Sequence, residues 1–432
     1  MTVAFCTLGC KVNQYESNEL RTLLEQAGFS SAAPGEAADV YIVNSCTVTA
    51  ESSRKSRQAL RKLRHEHPDA VVVLTGCYTQ AFPAAADELP EADIVLGNKT
   101  NAALPRLLEE FLLTRQRTVR VTKHENHDPY VGGAVSEFEG HSRAFVKIQD
   151  GCNRRCSYCI IPTSRGFSRS KPLEDVKKEL EAVAAHGYKE AVFVGINLSA
   201  YGLDGGGTLC DALELAETIP GIRRVRLGSL EPDHITDEQI ERLGKLTKFC
   251  PQFHLSLQSG CDRTLRRMNR HYTAAEYLAL CEKLKAVFPA LSFTTDVIAG
   301  FPGETDADFN ESVDFVKKVG FMKVHVFPFS PREGTKACDL PGRIPNAEKA
   351  ARCRRLQAVC DDLRRDFIKK SLGTVAEVLF ETPKNGLQQG YTENYIPVSV
   401  KSDAPFTGQI LPVRLTALSG DGCIGEPVAA DR

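Results

Sequence analysis

The sequence predicts an α/β protein in three parts: an N-terminal parallel sheet covered by helices, a central run of six βα units, and a small C-terminal β-barrel. Three observations predict it. Short apolar runs alternate with helical patterns through residues 1–114, and such alternation builds a parallel sheet with helices on its faces. The alternation resumes at Arg143 and repeats six times. After Gly373 it gives way to short β-like runs split by Gly and Pro, the texture of a small barrel. A chain of 432 residues exceeds one ordinary core, which also points to several domains.

In the first part, "VAFCTLGC" leads into a helical pattern over 14–27, "VYIVNSC" into 51–65, "AVVVLTGC" into 80–88 and "DIVLGN" into 101–113. The expectation is a Rossmann-like sheet over 1–114. Ligands of such sheets sit outside the carboxyl ends of the strands. Three of the strands end in a cysteine, Cys10, Cys46 and Cys77. These thiols, remote in sequence, are therefore expected on one edge.

Residues 115–142, with "HENHDPYVGGAVSEFEGH" at their heart, show little periodicity and read as a linker. Over 143–370 the strands are "AFVKIQ", "EAVFVG", "RRVRLGSL", "FHLSLQ", "SFTTDVIAG" and "KVHVFPFS". Helical patterns follow at 173–186, 209–218, 237–246, 274–288, 306–319 and 346–370. Six consecutive βα units make a partial TIM barrel, with chemistry at the C-terminal strand ends. The last part, 371–432, holds the β-runs "TVAEVLFE", "GYTENYIPVSVK", "GQILPVRLTALS" and "GEPVAA".

Composition narrows the class. Hydrophobic residues make up 42% and charged residues 25%, with a net charge of -1. This is a soluble globular profile that neither requires nor excludes a nucleic-acid partner. The start "MTVAFCTLGCK" has no basic n-region and no long apolar h-region. No run approaches the roughly 18–20 apolar residues of a membrane span. A cytoplasmic protein is expected, in which clustered thiols among the 15 cysteines serve metal or redox chemistry. Cys6, Cys210, Cys250, Cys261, Cys281, Cys338, Cys353, Cys360 and Cys423 read as small buried hydrophobes.

Cys152, Cys156 and Cys159 in "DGCNRRCSYC" are different. They follow the first strand of the central part in a tight C-x3-C-x2-C spacing, with Arg154 and Arg155 between them. Nearby cations favour thiolates. Thiolates hold iron–sulfur clusters, commonly four per cluster. Three ligands leave one position open, which separates a catalytic metal from a structural one. A zinc site with a remote fourth ligand, such as a linker His, remains an alternative on spacing alone.

C-x3-C-x2-C at the start of a (βα)6 unit resembles the radical S-adenosylmethionine (SAM) enzymes. "TLGCKVNQYES", "VNSC", "LTGCY", "GCNRRCSYCIIPTSRG", "LGSLEP", "LSLQSG" and "DVIAGFPGET" occur in that order over almost the whole chain. All are similar to motifs of the methylthiotransferases within that family. The resemblance implies two [4Fe-4S] clusters: one on Cys152, Cys156 and Cys159, with SAM chelating its open iron, and one on Cys10, Cys46 and Cys77. All six cysteines are then catalytic. One SAM would give a methyl group to a sulfur on the second cluster. A second SAM would yield a 5′-deoxyadenosyl radical that takes hydrogen from an unactivated carbon, where a methylthio group enters; such a step belongs to the cofactor.

The resemblance also assigns further residues. Tyr158 stands where the family carries an aromatic side chain near the adenine. Gly195 and Asn197 in "VGIN", Ser229 and Glu231 in "SLEP", and Gln258 are expected to contact SAM. Arg165 in "SRG" would face a carboxylate or phosphate, and the turn 300–303 the adenine. "TLGCKVNQYES" with "NSCTVT" looks like the branch that modifies C2 of N6-threonylcarbamoyladenosine at tRNA position 37, although Ser45 stands where the family often has Thr. The alternatives are isopentenyladenosine in tRNA and an aspartate of a ribosomal protein.

The implied partners are tRNA and an electron donor of flavodoxin or ferredoxin type, with no membrane and a monomeric chain. "SSRKSRQALRKLR", with Arg54, Lys55, Arg57, Arg61, Lys62 and Arg64, follows Cys46 and would suit a tRNA backbone, or serve as a solvated helix face. The C-terminal part resembles a TRAM domain, a small RNA-contacting barrel. From Gly373 onward acidic residues outnumber basic ones, so a local face with Tyr391 and Tyr395 is expected to carry such contacts. Otherwise the module only covers the barrel mouth.

Overall fold

The computed structural model describes residues 1–33, 35–138 and 140–428. The chain divides into two compact units: Met1–Val135 with Gln149–Lys171 and Ser330–Cys338, and Ser136–Ile148 with Pro172–Phe329 and Asp339–Arg432.

The first unit is built on strands β1 (Thr2–Thr7), β2 (Ser30–Ser31), β3 (Val40–Ser45), β4 (Val71–Gly76), β5 (Ile94–Leu96) and β6 (Thr118–Arg120). All pair in parallel, in the order β2-β1-β3-β4-β5-β6. Its helices are α1 (Lys11–Gln26), α2 (Ala50–Glu66), α3 (Cys77–Ala81), α4 (Pro83–Asp87) and α5 (Leu104–Thr114). On one face Val40, Ile42, Val71 and Val73 pack with Leu20 and Leu24 of α1 and Leu104, Leu107 and Leu108 of α5. On the other face Val43, Val72, Leu74 and Val95 pack with Leu60 of α2, Tyr78 of α3 and Ala86 of α4. Burial on both faces explains why these strands read as continuous apolar runs. α1 leaves β1 toward one face and α2 leaves the adjacent β3 toward the other. Such a switch point opens a crevice at the carboxyl ends of the strands.

β6 comes from the stretch expected to be irregular. As an edge strand it needs no apolar face, so its sequence carries no strong pattern. The helix expected over 80–88 is broken at Phe82–Pro83, where proline takes the first turn of α4 and its missing N–H costs nothing. Later in the chain this unit also contains β8 (Gln149–Asp150), α6 (Ile161–Arg165) and β9 (Arg169–Ser170). β8 and β9 form an antiparallel ribbon.

The second unit holds the partial barrel: β7 (Ala144–Lys147), β10 (Glu190–Val194), β11 (Arg224–Leu227), β12 (Ser229–Leu230), β13 (Gln252–Leu255), β14 (Ser292–Ala299) and β15 (Lys323–Pro328). The run "RRVRLGSL" is not one strand. It divides at Gly228, so that β11 pairs with β10 and β12 with β13. A glycine inside a strand marks such corners. The helices are α7 (Leu173–Ala185), α8 (Leu209–Thr218), α9 (Asp237–Gly244), α10 (Asp262–Arg267), α11 (Ala274–Val287), α12 (Asp306–Val319) and α13 (Asn346–Ser371). Thr208, Thr236, Thr273 and Thr305 each close a capping box at the start of α8, α9, α11 and α12. Each box satisfies N–H groups of the first turn that have no partner within the helix. α10 was not expected; at six residues it is too short to show a period.

The C-terminal strands β16 (Val375–Phe380), β17 (Gln388–Thr392), β18 (Pro397–Val400), β19 (Ile410–Ser419) and β20 (Gly422–Pro427) close into a barrel ordered β16-β17-β18-β20-β19. "GYTENYIPVSVK" is two strands, joined by a turn in which Tyr395 has a φ of 71°. "GEPVAA" begins inside β20, and Ala429 and Ala430 lie outside the described residues.

That turn plugs the larger barrel. Arg226 donates to Glu393 O at 2.8 Å and Ser292 Oγ to Asn394 O at 2.6 Å. Arg224 and Ser292 open β11 and β14, so the small barrel covers the N-terminal strand ends and not the mouth. Tyr391 and Tyr395 stack with ring centroids 4.8 Å apart. The Arg143 guanidinium lies 5.1 and 5.3 Å from the two rings, and that of Arg226 lies 4.6 Å from Tyr395. The tyrosines are thus held by cation–π contacts at this junction, which corrects the expectation that they form an RNA-facing surface. No helix among the described residues is long and apolar enough to cross a membrane.

Beneath the plug, Glu190 is fully buried, 3.0 Å from Arg226 Nε. Burial pushes its carboxyl up, but Arg226, Arg143 and Arg224 hold it below the usual carboxylate range. Arg226→Met is expected to cost about 3 kcal/mol, measured as a lower urea midpoint. A carboxyl held below its unfolded value stabilises fully above about pH 4.3, and the benefit fades as pH falls through the lowered folded value. The gap between variant and wild type should therefore shrink in acid.

Candidate metal centre

β1, β3 and β4 are neighbours in the sheet. Cys46 and Cys77 directly follow β3 and β4, and Cys10 caps α1 just beyond β1. Strands about 4.8 Å apart bring these ends to one edge, as expected. Cys46 and Cys77 are buried and Cys10 is exposed. Gly76, before Cys77, has a φ of +101°, and a Cβ there would lie 2.5 Å from both Asn44 Oδ1 and Ser45 O. Only glycine fits. α1 starts at Lys11 and α2 at Ala50, so two helix N-termini, whose dipoles favour anionic sulfur, stand beside the trio.

Polar side chains tie the trio together. Asn13 Oδ1 accepts from Cys10 Sγ at 3.4 Å, and Asn13 Nδ2 donates to Asn44 Oδ1 at 3.2 Å and Ser45 O at 3.0 Å. Ser45 Oγ donates to Thr75 O and accepts from Tyr78 N, so serine is sufficient where Thr is frequent. Arg165, 1% exposed, donates from Nε to Cys77 Sγ at 3.2 Å and from Nη2 to Glu16 Oε2 at 2.9 Å, while Nη1 bonds Glu16 Oε1. The carboxylate expected opposite Arg165 is therefore the protein's own. Burial pushes the Cys77 thiol up to about 12, against the opposing pull of Arg165. A metal taking this sulfur as thiolate displaces that proton.

Cys152, Cys156 and Cys159 lie half-buried in an irregular loop after β8. The β8–β9 ribbon shapes it: Gln149 Nε2 donates to Gly151 O at 2.8 Å and Ser168 Oγ at 2.9 Å, and Cys152 N donates to Gly166 O at 3.0 Å. Gly151 has a φ of +72°, and a Cβ would lie 1.9 Å from Phe167 O. A glycine at positive φ thus precedes the first cysteine here, as it precedes Cys77. Arg154 N points at Cys152 Sγ from 3.4 Å. Tyr158 is half-buried in the same loop.

The donor sets fit clusters better than single ions. Among the described residues, the only three His, Cys, Asp or Glu ligand atoms within 4.8 Å of one another belong to Cys261, Asp308 and Glu311. There Arg263 already holds Asp308. A tetrahedral zinc with Zn–S near 2.3 Å needs its sulfurs about 3.8 Å apart, and neither cysteine trio is drawn in so tightly. A cluster is wider than one ion and takes thiolates that are further spread. His124, from the stretch that was to offer zinc a fourth ligand, is held by Asn98 and Asp128.

The five other residues expected at SAM belong to the second unit. Gly195 directly follows β10, and Asn197 is buried. Ser229 is exposed on β12. The Glu231 carboxylate is engaged by Arg270, which also donates to Ser256 O. Gln258 has a φ of 66°, its N–H bonded to Asp296 O and its C=O accepting from Ile298 N. A non-glycine residue in that region is strained and is found where function demands it. The turn 300–303 is set by Glu304, whose carboxylate accepts from Gly300 N at 2.8 Å and from Arg352 at 2.7 Å. The pairing Asp296↔His325 puts both on one face. On that face His254 Nδ1 meets Thr294 Oγ1 at 3.0 Å and His254 Nε2 lies 3.4 Å from Asp296 Oδ2.

Asn13, Glu16 and Arg332 were not foreseen. Glu16 left a signal: it shares the i, i+4, i+8 stripe of α1 with Val12 and Leu20, all buried, and a carboxylate on an apolar stripe needs a partner. Arg332 left none. Arg165→Leu should strand Glu16 and cost about 3–5 kcal/mol, whereas Glu16→Leu/Arg165→Leu should lose much less. Urea unfolding of the iron-free chain checks this.

Comparison with known proteins agrees with this geometry. The model of the Radical SAM superfamily matches residues 146–316, and that of the Uncharacterized protein family UPF0004 matches residues 2–97. The threonylcarbamoyladenosine tRNA methylthiotransferase MtaB of Thermotoga maritima is 38% identical over 98% of this chain and 96% of its own. A tRNA-2-methylthio-N(6)-dimethylallyladenosine synthase of Caldicellulosiruptor saccharolyticus is 35% identical over 99% of this chain and 92% of its own. In fold, the radical SAM methyltransferase TsrM of Kitasatospora setae superposes with a TM-score of 0.56 at 16% identity, covering 76% of this chain and 72% of that one. With two thiol trios, a partial barrel and full-length similarity in agreement, the chain belongs to the radical SAM methylthiotransferase family, on its MtaB-like branch.

Proposed function

We propose that the chain replaces the C2 hydrogen of N6-threonylcarbamoyladenosine at tRNA position 37 with a methylthio group. The observation that carries this reading is the pair of three-thiol sites within one unit: Cys10, Cys46 and Cys77 at a sheet edge, and Cys152, Cys156 and Cys159 in the ribbon loop. The loop trio accounts for SAM cleavage, and the sheet-edge trio is the part that sulfur insertion would use. The substrate follows the MtaB-like relatives, and dimethylallyladenosine is the alternative.

In this reading two [4Fe-4S] clusters and SAM supply the one-electron, sulfur and methyl chemistry. The chain's own residues do the rest. Cys152, Cys156 and Cys159 give three thiolates and leave room for the cofactor's amino and carboxylate groups, with Tyr158 beside the adenine. Gly195, Asn197, Ser229 and Gln258 offer hydrogen bonds to the cofactor. Glu231 does so only through a carboxylate already neutralised by Arg270, so it orients more than it attracts. Cys10, Cys46 and Cys77 hold the second cluster, and Arg165 donates to Cys77 Sγ, a kind of contact that sets cluster potential. Burial around Cys46 and Cys77 limits the access of water to the sulfurs that would hold the second cluster. A flavodoxin- or ferredoxin-type electron donor, a monomeric chain and a cytoplasmic setting complete the reading. The basic α2 is the surface offered to the tRNA backbone.

Three measurements test it. Anaerobically reconstituted protein should bind about eight irons, whereas zinc without iron sinks the reading. Cys152→Ala should abolish SAM cleavage, while Cys46→Ala keeps cleavage and loses sulfur insertion, as read by 5′-deoxyadenosine release and nucleoside mass spectrometry. In tRNA from a strain lacking the gene, the methylthiolated threonylcarbamoyladenosine should be absent. Loss of the dimethylallyl product instead selects the alternative.

A further inference from the structure

One stretch of the partial-barrel wall is polar and unpacked. Phe253 of β13 packs against Phe293 of β14 and Phe288 at the end of α11. These rings face the helices, so the residues alternating with them, Gln252, His254, Thr294 and Asp296, face the lumen. The parallel register sets Lys323 beside Thr294 and His325 beside Asp296, which puts both on the same inner face. A closed (βα)8 barrel fills its interior with side chains. Here His325 is exposed, Phe327 is 43% exposed and the Asp296 side chain 33%. The floor below them is closed, because Asn394 O in the plugging turn accepts from Ser292 Oγ.

The chemistry of this wall is one-sided. His254 Nδ1 meets Thr294 Oγ1 at 3.0 Å, and its Nε2 is 3.4 Å from Asp296 Oδ2. The His325 ring centroid lies 6.2 Å from that of His254. The charged and titratable groups acting on His325 are Lys323, Asp296, His254 and Arg364. Arg364 is paired with Asp421 at 2.8 Å, and Asp296 is shared with His254. Among the described residues no carboxylate pairs with Lys323, and no group hydrogen-bonds the His325 ring. An imidazole offers an N–H whether or not it is protonated, and an ammonium offers three. The wall thus presents donors and a positive charge to the lumen, and its one carboxylate is already engaged.

We propose that Lys323 and His325 receive the carboxylate of the threonylcarbamoyl group and thereby select threonylcarbamoyladenosine over dimethylallyladenosine. This rests on the methylthiotransferase reading with that substrate. The carboxylate is the one anionic group of the threonylcarbamoyl substituent, and a charge-assisted hydrogen bond is the contact that recognises it. A dimethylallyl group is apolar and has no acceptor, so it would cover these donors without pairing them. A site built to hydrogen-bond a substrate group rejects an analogue that lacks it. Lys323 and His325 are specificity residues: they hold the substituent and take no part in the chemistry at C2.

The test uses the reconstituted full-length chain and anticodon stem-loop RNA carrying threonylcarbamoyladenosine, either as the free acid or as its methyl ester. Wild type should convert the ester with a kcat/KM about ten- to a hundredfold lower. Lys323→Met and His325→Leu should each lose most of that preference, through a higher KM for the acid. Lys323→Arg should keep it, as should His325→Asn in part, since its amide still donates. A wild type indifferent to esterification overturns the proposal, and so do variants that keep the full preference for the acid. A selective fall in SAM affinity in the variants overturns it too, because the wall would then belong to the cofactor's site. Failure of the underlying reading looks different: wild type then converts neither form of this RNA, or only RNA carrying dimethylallyladenosine.

Discussion

The contact between Arg165 and Glu16 is the constraint around which the first unit is arranged. Arg165 ends the short helix that follows the Cys152–Cys159 loop, Glu16 sits on the helix that follows Cys10, and the same guanidinium reaches Cys77. Three segments remote in sequence are tied by one side chain with a planar fork of donors. Lysine could not do this, because it lacks the geometry to grip a carboxylate with two nitrogens and a sulfur with a third. Burial makes the tie stringent: neither charge can be left alone, so the loop and the sheet edge hold one arrangement.

The same principle recurs with different outcomes. Below the partial barrel, Glu190 gathers Arg143, Arg224 and Arg226, and the turn carrying Tyr395 closes over them. The small C-terminal barrel is thereby fixed to the N-terminal strand ends, which leaves the carboxyl ends to chemistry. At Glu304 and Arg352 a buried pair sets a turn. Arg332 departs from the pattern. Among the described residues no carboxylate pairs with it, and its Nη2 donates to the hydroxyls of Thr47 and Ser53 instead. Strain follows function in a related way at Gln258, whose φ of 66° is held by backbone bonds on both sides.

Much of the fold was legible in the chain. Apolar runs buried on both faces announced the parallel strands, and the helical patterns between them announced most of the helices. What escaped had physical reasons. β6 is an edge strand with no apolar face to give it a pattern, α10 is shorter than two turns, and Gly228 splits a run that reads as one strand. Tyr391 and Tyr395 looked like a nucleic-acid surface because exposed aromatics in a small barrel invite that reading. Their partners, Arg143 and Arg226, lie more than a hundred residues away in sequence, where no local pattern could reveal them.

The sequence by itself determined the chemistry on offer: three thiols at a tight local spacing, three more at the ends of strands, and glycines placed before cysteines. Local spacing and strand period survive folding unchanged, so they can be read in advance. Only the tertiary structure decided which charges are balanced. Whether Arg165 meets a cofactor or Glu16, and whether Arg332 meets a carboxylate or none, depends on contacts between segments 149 and 285 residues apart. Such contacts are set by packing against the whole sheet, and no periodicity records them.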